Sequence, residues 1–355
     1  MPSAADAAGA AGAVTDIPHA IDAAGGALRF DRFVSLALYG PHGFYTGEGR
    51  AGRRGDFLTS PEVGPLFGTV VAAWIAAEFE RQGRPDDFEV VEVGAGPGTL
   101  ARSILAQWRA AGEPGHPYTA VEAGELQRAA HPDGVHSAAD LDHRDGRPIT
   151  GVVIANELLD NLPFRLLVFD GSWREAHVTS SPGEPERLLE VLLPLAERPA
   201  WLPVEAPHGA RVPWQESAAE WVTDTLGRLA TGRLLCFDYV TPRTAELATM
   251  PWREWLRTYR GHERGGHYLT GPGDQDVTTQ VALDQLPEPD VVRTQEQFLR
   301  RWGIDDLVEE GRIAWEAAAA APTVAAMKMR SRVREAEALL DPTGLGAFLA
   351  IEWAR

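Results

Sequence analysis

Residues 88–100 read FEVVEVGAGPGTL, a short apolar run followed by a loop with a glycine at every second position. The β-branched residues Val90, Val91 and Val93 predict a strand of the kind that a parallel sheet buries on both faces. Apolar residues then recur at helical spacing over Leu100–Trp108. The segment is therefore predicted to be one strand, loop and helix unit. Its glycines let the backbone turn tightly and let a ligand lie against the main chain.

The spacing of the glycines separates two classes of nucleotide cofactor. A dinucleotide site has the spacing G-x-G-x-x-G, so that the pyrophosphate sits on a helix N-terminus. Here Gly94, Gly96 and Gly98 give G-x-G-x-G, and Glu92 precedes the first of them by two residues. An acid is tolerable beside the ammonium and sulfonium of S-adenosylmethionine (SAM), but is unfavourable beside a pyrophosphate. The loop and Glu92 therefore favour SAM over NAD. The alternative is a glycine loop that only turns the chain.

Polar residues follow the other predicted strands as well. Glu122 ends the strand 118–122, where a carboxylate can accept hydrogen bonds from both ribose hydroxyls. Asp140 ends a third, short strand and can accept from the adenine amino group, and Leu141 beside it is assigned to the same site. Asn156 follows a fourth buried strand. Ligands of open α/β sheets bind at this carboxyl edge, so these residues are predicted to contact the cofactor.

Residues 55–62, reading GDFLTSPE, precede the sheet. The segment is predicted to fold over the methionine end of the cofactor, with Asp56, Thr59 and Ser60 as contacts. The same stretch predicts the start of a helix, with Ser60 as the N-cap and Pro61 at the first helical position. The two roles are compatible.

The length, charge and cysteine content of the chain limit the classes of protein to which it can belong. A chain of 355 residues is long for one core, so a nucleotide-binding domain with an insertion or a second lobe is expected. The formal net charge of -18 argues against nucleic acid as a partner, and no apolar run is long enough to predict a membrane span. The acidity fits a cationic substrate or serves solubility alone. Cys236, the single cysteine, cannot form an internal disulfide, which predicts a cytoplasmic location.

Two further stretches carry weaker predictions. Residues 1–16 are rich in Ala and Gly without arginine, match neither a signal nor a transit peptide, and are predicted to be a disordered tail. Residues 259–267 are predicted to be a glycine-rich loop whose two histidines lack the spacing and cysteine partners of a zinc site. No metal is therefore predicted.

With these motifs, the chain resembles the MidA family, which includes the mitochondrial complex I assembly-factor methyltransferases. The motifs that carry the resemblance are residues 39–45, 55–62, 92–100, 155–163 and 238–239. The resemblance implies an α/β fold, namely a class I, seven-stranded, Rossmann-like SAM-dependent methyltransferase core. It also implies, from characterised relatives, methylation of a protein arginine.

Residues 276–283 depart from the family pattern. Where the family usually reads Asp-Leu-Thr-Ala-His-Val-Asp-Phe, this chain reads DVTTQVAL, so Gln280 and Ala282 replace a histidine and an aspartate. Val240 replaces a common glycine. We expect these changes to leave cofactor binding unaffected. They leave open the possibility that the methyl acceptor differs from that of the family.

Glu157 and Asp160 follow Asn156 and are predicted to be the catalytic pair. If the acceptor is an arginine, two carboxylates can hold its guanidinium bidentately, whereas a lysine would not need such a fork. The alternative is that both are solvated residues of a helical turn.

The predicted organisation has an N-terminal helical segment and an inserted or C-terminal substrate lobe around the core. In chain order it comprises a tail (1–16), a helical lid segment (17–87), the first half of the SAM-binding core (88–170), an inserted substrate lobe (171–231), and the remaining core strands with C-terminal helices (232–355). Within the lobe, residues 173–178 are predicted to form a strand and residues 181–187 a turn.

The predicted function is methylation of an arginine nitrogen, with a protein or peptide that presents a basic residue as the partner. Two alternatives are kept. One is a methyltransferase with a small-molecule N or O acceptor, and the other is a non-catalytic assembly or binding protein that keeps the fold. A homodimer is also left open.

Overall fold

The computed structural model describes residues 16–46, 59–260, 263–321 and 323–355. The chain forms two compact units that interleave along the sequence. We call Leu58–Leu158, Asp224–Tyr239 and Pro289–Arg355 the core unit. The accessory unit consists of the described residues of Met1–Phe57 together with Leu159–Thr223 and Val240–Glu288.

Helices and strands alternate along most of the described chain. Residues 16–23 are helical. The other α-helices are α1 Phe30–Tyr39, α2 Ser60–Val63, α3 Pro65–Arg81, α4 Thr99–Ala111, α5 Glu125–Arg128, α6 Glu216–Arg228, α7 Thr244–Leu247, α8 Trp252–Trp255, α9 Gln295–Arg301, α10 Ile304–Ala317 and α11 Val324–Leu339. The strands are β1 Leu28–Arg29, β2 Glu89–Val93, β3 Tyr118–Val121, β4 His136–Ala138, β5 Ile149–Asn156, β6 Arg165–Phe169, β7 Trp173–Ser181, β8 Glu184–Pro194, β9 Arg211–Trp214, β10 Leu229–Asp238, β11 Val240–Thr241, β12 Leu256–Arg260, β13 Glu263–Arg264, β14 Asp276–Thr279, β15 Val281–Ala282, β16 Val291–Thr294 and β17 Leu349–Ala354.

The core unit is built on a seven-stranded sheet in the order β16-β17-β10-β5-β2-β3-β4. Strands β10, β5, β2, β3 and β4 run parallel, and β17 is antiparallel to both of its neighbours. From β2 the chain first builds outward through β3 and β4, and then places β5 on the opposite side of β2. The point where the strand order reverses is where open α/β sheets form a ligand crevice, at the carboxyl ends of β2 and β5. The predicted α/β fold and its seven-stranded sheet are confirmed.

Helix α3 shows why the core unit folds as predicted. Its apolar residues Phe67, Val70 and Trp74 are fully buried, as their helical spacing requires. Phe67 packs edge-to-face on Phe237 of β10, with ring centroids 5.1 Å apart. The apolar stripe of the helix and the apolar face of the sheet thus bury each other, which fixes the framework of the crevice.

The accessory unit has its own sheets and its own apolar core. Strands β1, β7, β6 and β9 form a sheet in that order, to which β8 adds by pairing with β7. A second sheet has the order β13-β12-β14, and β11 pairs with β15. Phe30, Phe164 and Trp255 belong to the buried cluster that holds these elements together.

Two predictions of local structure in the accessory unit were wrong. The turn predicted at residues 181–187 is shorter, because β8 already begins at Glu184. The loop predicted at residues 259–267 contains the end of β12 and the short strand β13, which pair with each other. In each case a tertiary strand pairing overrides the local pattern.

The predicted roles of the segments as lid, core and substrate lobe stay predictions. Most of the predicted tail, residues 1–15, lies outside the described residues, while Asp16 is helical. None of the described helices combines the length and the apolar composition needed to cross a membrane.

Candidate functional site

The glycine loop after β2 is a tight left-handed turn. Gly94, Gly96 and Gly98 have φ angles of 71°, 52° and 77°, a conformation that costs other residues energy. Gly98 is also the N-cap residue of α4. The strand, loop and helix predicted from residues 88–100 are thereby confirmed, and the loop lies at the carboxyl end of β2.

Side chains from elsewhere in the core unit pack closely around this loop. A Cβ placed on Gly94 would lie 3.1 Å from Leu158 Cδ1, and one placed on Gly96 would lie 3.3 Å from Gln127 Oε1. His131 brings Nε2 within 2.9 Å of the carbonyl oxygen of Gly96. Gln127 and His131 were not predicted, because no local pattern marks two polar residues that reach a loop some 30 residues earlier in the chain.

Glu122 lies at the end of β3 with its carboxylate held by the backbone. Oε2 accepts from Gly96 N–H at 2.9 Å, and Oε1 accepts from Gly124 N–H at 2.8 Å. A carboxylate oxygen can accept two hydrogen bonds, so each one retains capacity for a ligand. The arrangement suits a diol, which would donate one hydroxyl to each oxygen.

Glu92 lies inside the core unit, one residue before the end of β2. The hydroxyl of Tyr118 donates to its Oε2 at 2.6 Å. Burial raises the pKa of Glu92 to about 7, although the Tyr118 hydrogen bond acts in the opposite direction. The side chain thus supports the strand that precedes the glycine loop, and its predicted contact with the cofactor stays a prediction.

Asp140 and Leu141 lie beyond β4, which pairs with β3 in the sheet. The Asp140 side chain caps a short 3₁₀ turn that Leu141 begins, and it accepts from Asp142 N–H at 2.9 Å. Because β3 and β4 are parallel, both residues lie at the same carboxyl edge of the sheet as Glu122. The structure therefore brings them to the predicted edge, and their contact with adenine stays a prediction.

Asn156 is the last residue of β5, and Glu157 follows it directly. Strand β5 lies on the opposite side of β2 from β3, which Glu122 follows. Asn156 Nδ2 donates to Glu157 Oε1 at 3.0 Å. Asn156 Oδ1 is buried and has no hydrogen-bond partner within the described part of the chain. A buried acceptor without a partner is costly, so this atom suits a ligand that donates hydrogen bonds, such as an ammonium group.

The backbone of Glu157 is strained. Its φ of 53° lies in the left-handed region, which a residue with a long side chain rarely adopts. Its N–H donates to the carbonyl oxygen of Phe237 at 2.8 Å, which helps to hold this conformation. Such strain concentrates at functional sites, where the surrounding structure aims one side chain.

The Thr-Ser-Pro-Glu segment corrects one prediction. The N-cap of α2 is Thr59 and not Ser60, and the Glu62 carboxylate accepts from Thr59 N–H at 3.4 Å in a capping box. The reason is that the Ser60 hydroxyl points inward and donates to Gln295 Oε1 at 2.8 Å. Asp56 lies outside the described residues. Thr59 and Ser60 as cofactor contacts stay predictions.

Replacing Ser60 by alanine should destabilise the core unit. The change leaves Gln295 Oε1 buried without its donor, which costs on the order of 1 to 3 kcal/mol. Urea unfolding followed by circular dichroism measures this loss, and alanine at the exposed Ser172 is the matched control. If both variants unfold at the wild-type urea concentration, the Ser60 to Gln295 bond does not hold the segment in place.

Asp160 lies in the accessory unit, within a buried polar cluster. It is 5% exposed, so the alternative that it is a solvated residue is wrong. The Thr278 hydroxyl donates to its Oδ2 at 2.6 Å. Asp276 lies in the same cluster, where it accepts from Asn161 Nδ2 at 3.1 Å and is hydrogen-bonded to Tyr45. Asp276 and Tyr45 were not predicted as site residues, although both stand near or within the family's motifs.

Burial dominates the electrostatics of this cluster. It raises the pKa of Asp276 to about 7, and the neighbouring Asp160 adds to the rise. Burial raises the pKa of Asp160 in the same direction, against the hydrogen bond from Thr278. Near pH 7 the Asp276 carboxyl is therefore partly protonated, whereas an exposed aspartate would be ionised.

The Asp276→Asn variant should lose part of the pH dependence of stability. A folded-state pKa raised above the unfolded value of 3.8 contributes stability that is complete below about pH 4 and is lost as the pH rises through about 7. The wild type should therefore lose on the order of 4 kcal/mol relative to the variant across this window. Urea unfolding at a series of pH values measures the difference, with asparagine at the exposed Asp22 as the control. Parallel curves for wild type and Asp276→Asn would contradict the raised pKa.

Comparison with protein families matches residues 70–297, more than half of the chain, to the family described as "Putative S-adenosyl-L-methionine-dependent methyltransferase". The chain belongs to this family. It is a SAM-dependent methyltransferase, and SAM is its cofactor. The resemblance inferred from the motifs is confirmed.

Relatives and solved structures extend this result. The methyltransferase is 28% identical over 204 residues to the Drosophila melanogaster protein named "Protein arginine methyltransferase NDUFAF7 homolog, mitochondrial", covering 49% of this chain and 47% of that one. It is 25% identical to the Rattus norvegicus NDUFAF7 arginine methyltransferase, covering 79% and 72%. The chain thus spans about half the length of the first relative. A Burkholderia thailandensis crystal structure with S-adenosyl-homocysteine (SAH) bound has the same fold, with a TM-score of 0.85, 24% identity and coverage of 100% and 95%.

The residues of the crevice fit SAM. The cofactor carries an ammonium group, a ribose diol and an adenine amino group, all of which donate hydrogen bonds. The methyltransferase has three hydrogen-bond acceptors at the ends of three neighbouring strands along one sheet edge. They are Asn156 Oδ1, which has no partner among the described residues, the Glu122 carboxylate, which backbone N–H groups hold in place, and the Asp140 carboxylate. When bound, SAM supplies the methyl group, and the protein binds and orients it. No group of three or more His, Cys, Asp or Glu in the described ranges is arranged to hold a metal ion.

Proposed function

We propose that this methyltransferase methylates an arginine nitrogen of a protein or peptide. The observation that carries the proposal is Glu157, a carboxylate on a strained backbone directly after Asn156, at the strand end beside the glycine loop. The names of the relatives, protein arginine methyltransferases, support the same acceptor. A carboxylate at this place can bind and orient a cationic acceptor next to the cofactor.

Asp160 is proposed as the second carboxylate. It follows Glu157 by three residues in the chain. A guanidinium presents five N–H donors in a planar fork and can engage two carboxylates at once. Its positive charge would favour the ionised form of Asp160, whose pKa burial raises.

The charge of the whole chain supports a basic partner. The formal net charge of -18 attracts a positively charged segment over long range and raises the rate of encounter at low salt. The same charge repels the backbone of nucleic acid, which favours a protein as the acceptor.

A small-molecule acceptor is the second candidate. One observation favours it, namely that Gln280 and Ala282 replace the family's usual histidine and aspartate. In the structure Ala282 is fully buried, and its N–H donates to Gln215 Oε1 at 2.7 Å. The position thus serves the packing of the accessory unit in this chain, without the family's usual aspartate.

Transfer of labelled methyl from SAM separates these candidates. The enzyme is incubated with a cell lysate divided into protein and small-molecule fractions, and with two synthetic peptides that differ only by Arg or Lys at one position. We expect label in the protein fraction and in the Arg peptide alone, with mass spectrometry placing it on a guanidinium nitrogen. Label on an oxygen, on lysine or only in the small-molecule fraction would overturn the proposal.

A cytoplasmic location is proposed on the basis of the single cysteine. Cys236 is fully buried, and burial raises the pKa of its thiol, which keeps it protonated and unreactive. Nothing in this cysteine usage calls for an oxidising compartment. Whether the enzyme forms a homodimer stays a prediction that sedimentation can test.

A further inference from the structure

Gly96, in the middle of the glycine loop, is held by side chains on both of its peptide groups. Its N–H donates to Glu122 Oε2 at 2.9 Å, and its carbonyl oxygen lies 2.9 Å from His131 Nε2. These two groups belong to consecutive planar peptides, whose relative orientation depends only on the φ and ψ angles of Gly96. Glycine has the largest backbone freedom of any residue. The two contacts therefore restrict a backbone that would otherwise adopt many conformations.

The partners of His131 determine which of its ring nitrogens carries a proton. A carbonyl oxygen can only accept, so Nε2 beside Gly96 is the N–H donor. Nδ1 lies 2.9 Å from Ser137 Oγ of β4, and in the neutral ring it accepts from that hydroxyl. The imidazole thus connects the glycine loop to β4, and the Ser137 hydroxyl favours the tautomer that donates to Gly96.

The His131 ring also packs against the glycine loop. A Cβ placed on Gly98 would lie 3.3 Å from His131 Cδ2, a closer approach than most side chains make. Arg102 holds the backbone on either side of this contact, because it donates to the carbonyl oxygen of Pro97 at 2.6 Å and to that of Ala130 at 2.8 Å. Since Ala130 directly precedes His131, the guanidinium fixes the separation between the loop and the imidazole.

The contact between His131 and Gly96 bears on the cofactor because the same glycine anchors Glu122. The Glu122 carboxylate is held by the N–H groups of Gly96 and Gly124. A change in the dihedral angles of Gly96 would turn its N–H, and would shift the carboxylate that is predicted to accept from the ribose hydroxyls. His131 therefore acts on the cofactor site through the loop.

We propose that His131 is a positioning residue for SAM. By donating from Nε2 to the Gly96 carbonyl oxygen, it holds the glycine loop in its binding conformation before the cofactor arrives. A loop that is already ordered loses less conformational entropy on binding, which strengthens the affinity. The proposal concerns the cofactor alone and does not depend on the identity of the methyl acceptor.

Two substitutions separate the donor at Nε2 from the rest of the ring. The amide nitrogen of a glutamine can reach the place of Nε2, whereas that of an asparagine reaches only the place of Nδ1. His131→Gln should therefore bind SAH within about twofold of the wild type, and His131→Asn about tenfold more weakly, as expected for the loss of one hydrogen bond. Titration calorimetry measures both affinities.

His208→Asn is the control for these variants. The side chain of His208 is 80% exposed and lies in the accessory unit, so its replacement should leave the affinity for SAH unchanged. Thermal melting shows that each variant is folded at the temperature of the titration, so that a weaker affinity is not a loss of fold. Without ligand, the backbone amides of residues 94–98 should exchange hydrogen faster in His131→Asn than in His131→Gln.

A measurement on the wild type tests the tautomer. Nitrogen NMR at pH 8, with ¹⁵N-labelled histidine, should show His131 with its proton on Nε2, and the signal that is missing from His131→Gln identifies the residue. This measurement stands even where the asparagine variant does not fold. A proton on Nδ1 would overturn the proposal, as would an affinity of His131→Asn for SAH that equals or exceeds that of His131→Gln.

Discussion

The Glu122→Ala variant is expected to bind SAM and SAH about 30- to 160-fold more weakly than the wild type. The carboxylate can accept from both ribose hydroxyls, and losing such bonds in a partly buried site costs on the order of 2 to 3 kcal/mol. The variant also frees the N–H groups of Gly96 and Gly124, which loosens the loop that faces the cofactor. Titration calorimetry with SAH measures the effect directly.

Alanine at Glu125 is the control for Glu122. It lies three residues further along, is exposed and begins α5, so its replacement should leave the affinity unchanged. Thermal melting shows whether either variant has lost its fold. Wild-type affinity in Glu122→Ala would remove this residue from the ribose site, and binding of NAD in place of SAM would overturn the assignment of the crevice.

Local sequence pattern predicted the cofactor half of the site, because its residues follow buried strands within a few positions. Val90, Val91 and Val93 mark β2 by their β-branched side chains, and the glycines follow immediately. The strand ends at Glu122 and Asn156 are equally local features. In a parallel sheet the carboxyl ends meet at one edge, so chain order alone brings these groups near each other.

The missed features depend on residues far apart in the chain. Ser60 is not the N-cap because its hydroxyl bonds to Gln295, 235 residues later. Asp160 is buried because Thr278, 118 residues later, covers it and donates to it. Neither partner leaves a periodic signal near the residue that it affects. Strand β8 was predicted in part as a turn because most of its residues are at least partly exposed on both faces, which removes the usual alternation.

The structure shows what the departures from the family pattern at residues 276–283 leave unchanged. Asp276 itself is kept and lies buried beside Asn161 and Tyr45, so the polar cluster of the accessory unit persists without the family's histidine. The residues predicted to bind the cofactor and this cluster are therefore both present, and we expect the changed residues to affect the identity of the acceptor. Substitution of Glu157 is the most direct test of how the acceptor is held.

The Glu157→Gln variant is expected to keep the wild-type affinity for SAM and to lose turnover about 100-fold. The amide keeps the shape of the side chain, and its oxygen can still accept from Asn156 Nδ2. What it loses is the negative charge that holds a guanidinium and its methylated, still cationic product, an interaction on the order of 3 kcal/mol. Labelled methyl transfer to the Arg peptide gives the rate, and calorimetry gives the affinity.

A second substitution at the same position separates catalysis from folding. Glu157 has a φ of 53°, so Glu157→Gly relieves backbone strain and should melt at or above the wild-type temperature, while it also lacks the carboxylate and should be equally inactive. A residue that only stabilises the loop would behave differently, because its variants would lose activity in step with stability. A Glu157→Gln enzyme that melts like the wild type and methylates at the wild-type rate would show that the carboxylate does not hold the acceptor. A stable but inactive glycine variant would show that the carboxylate serves the chemistry and not the fold, so that the strained backbone is kept in order to aim this one charge.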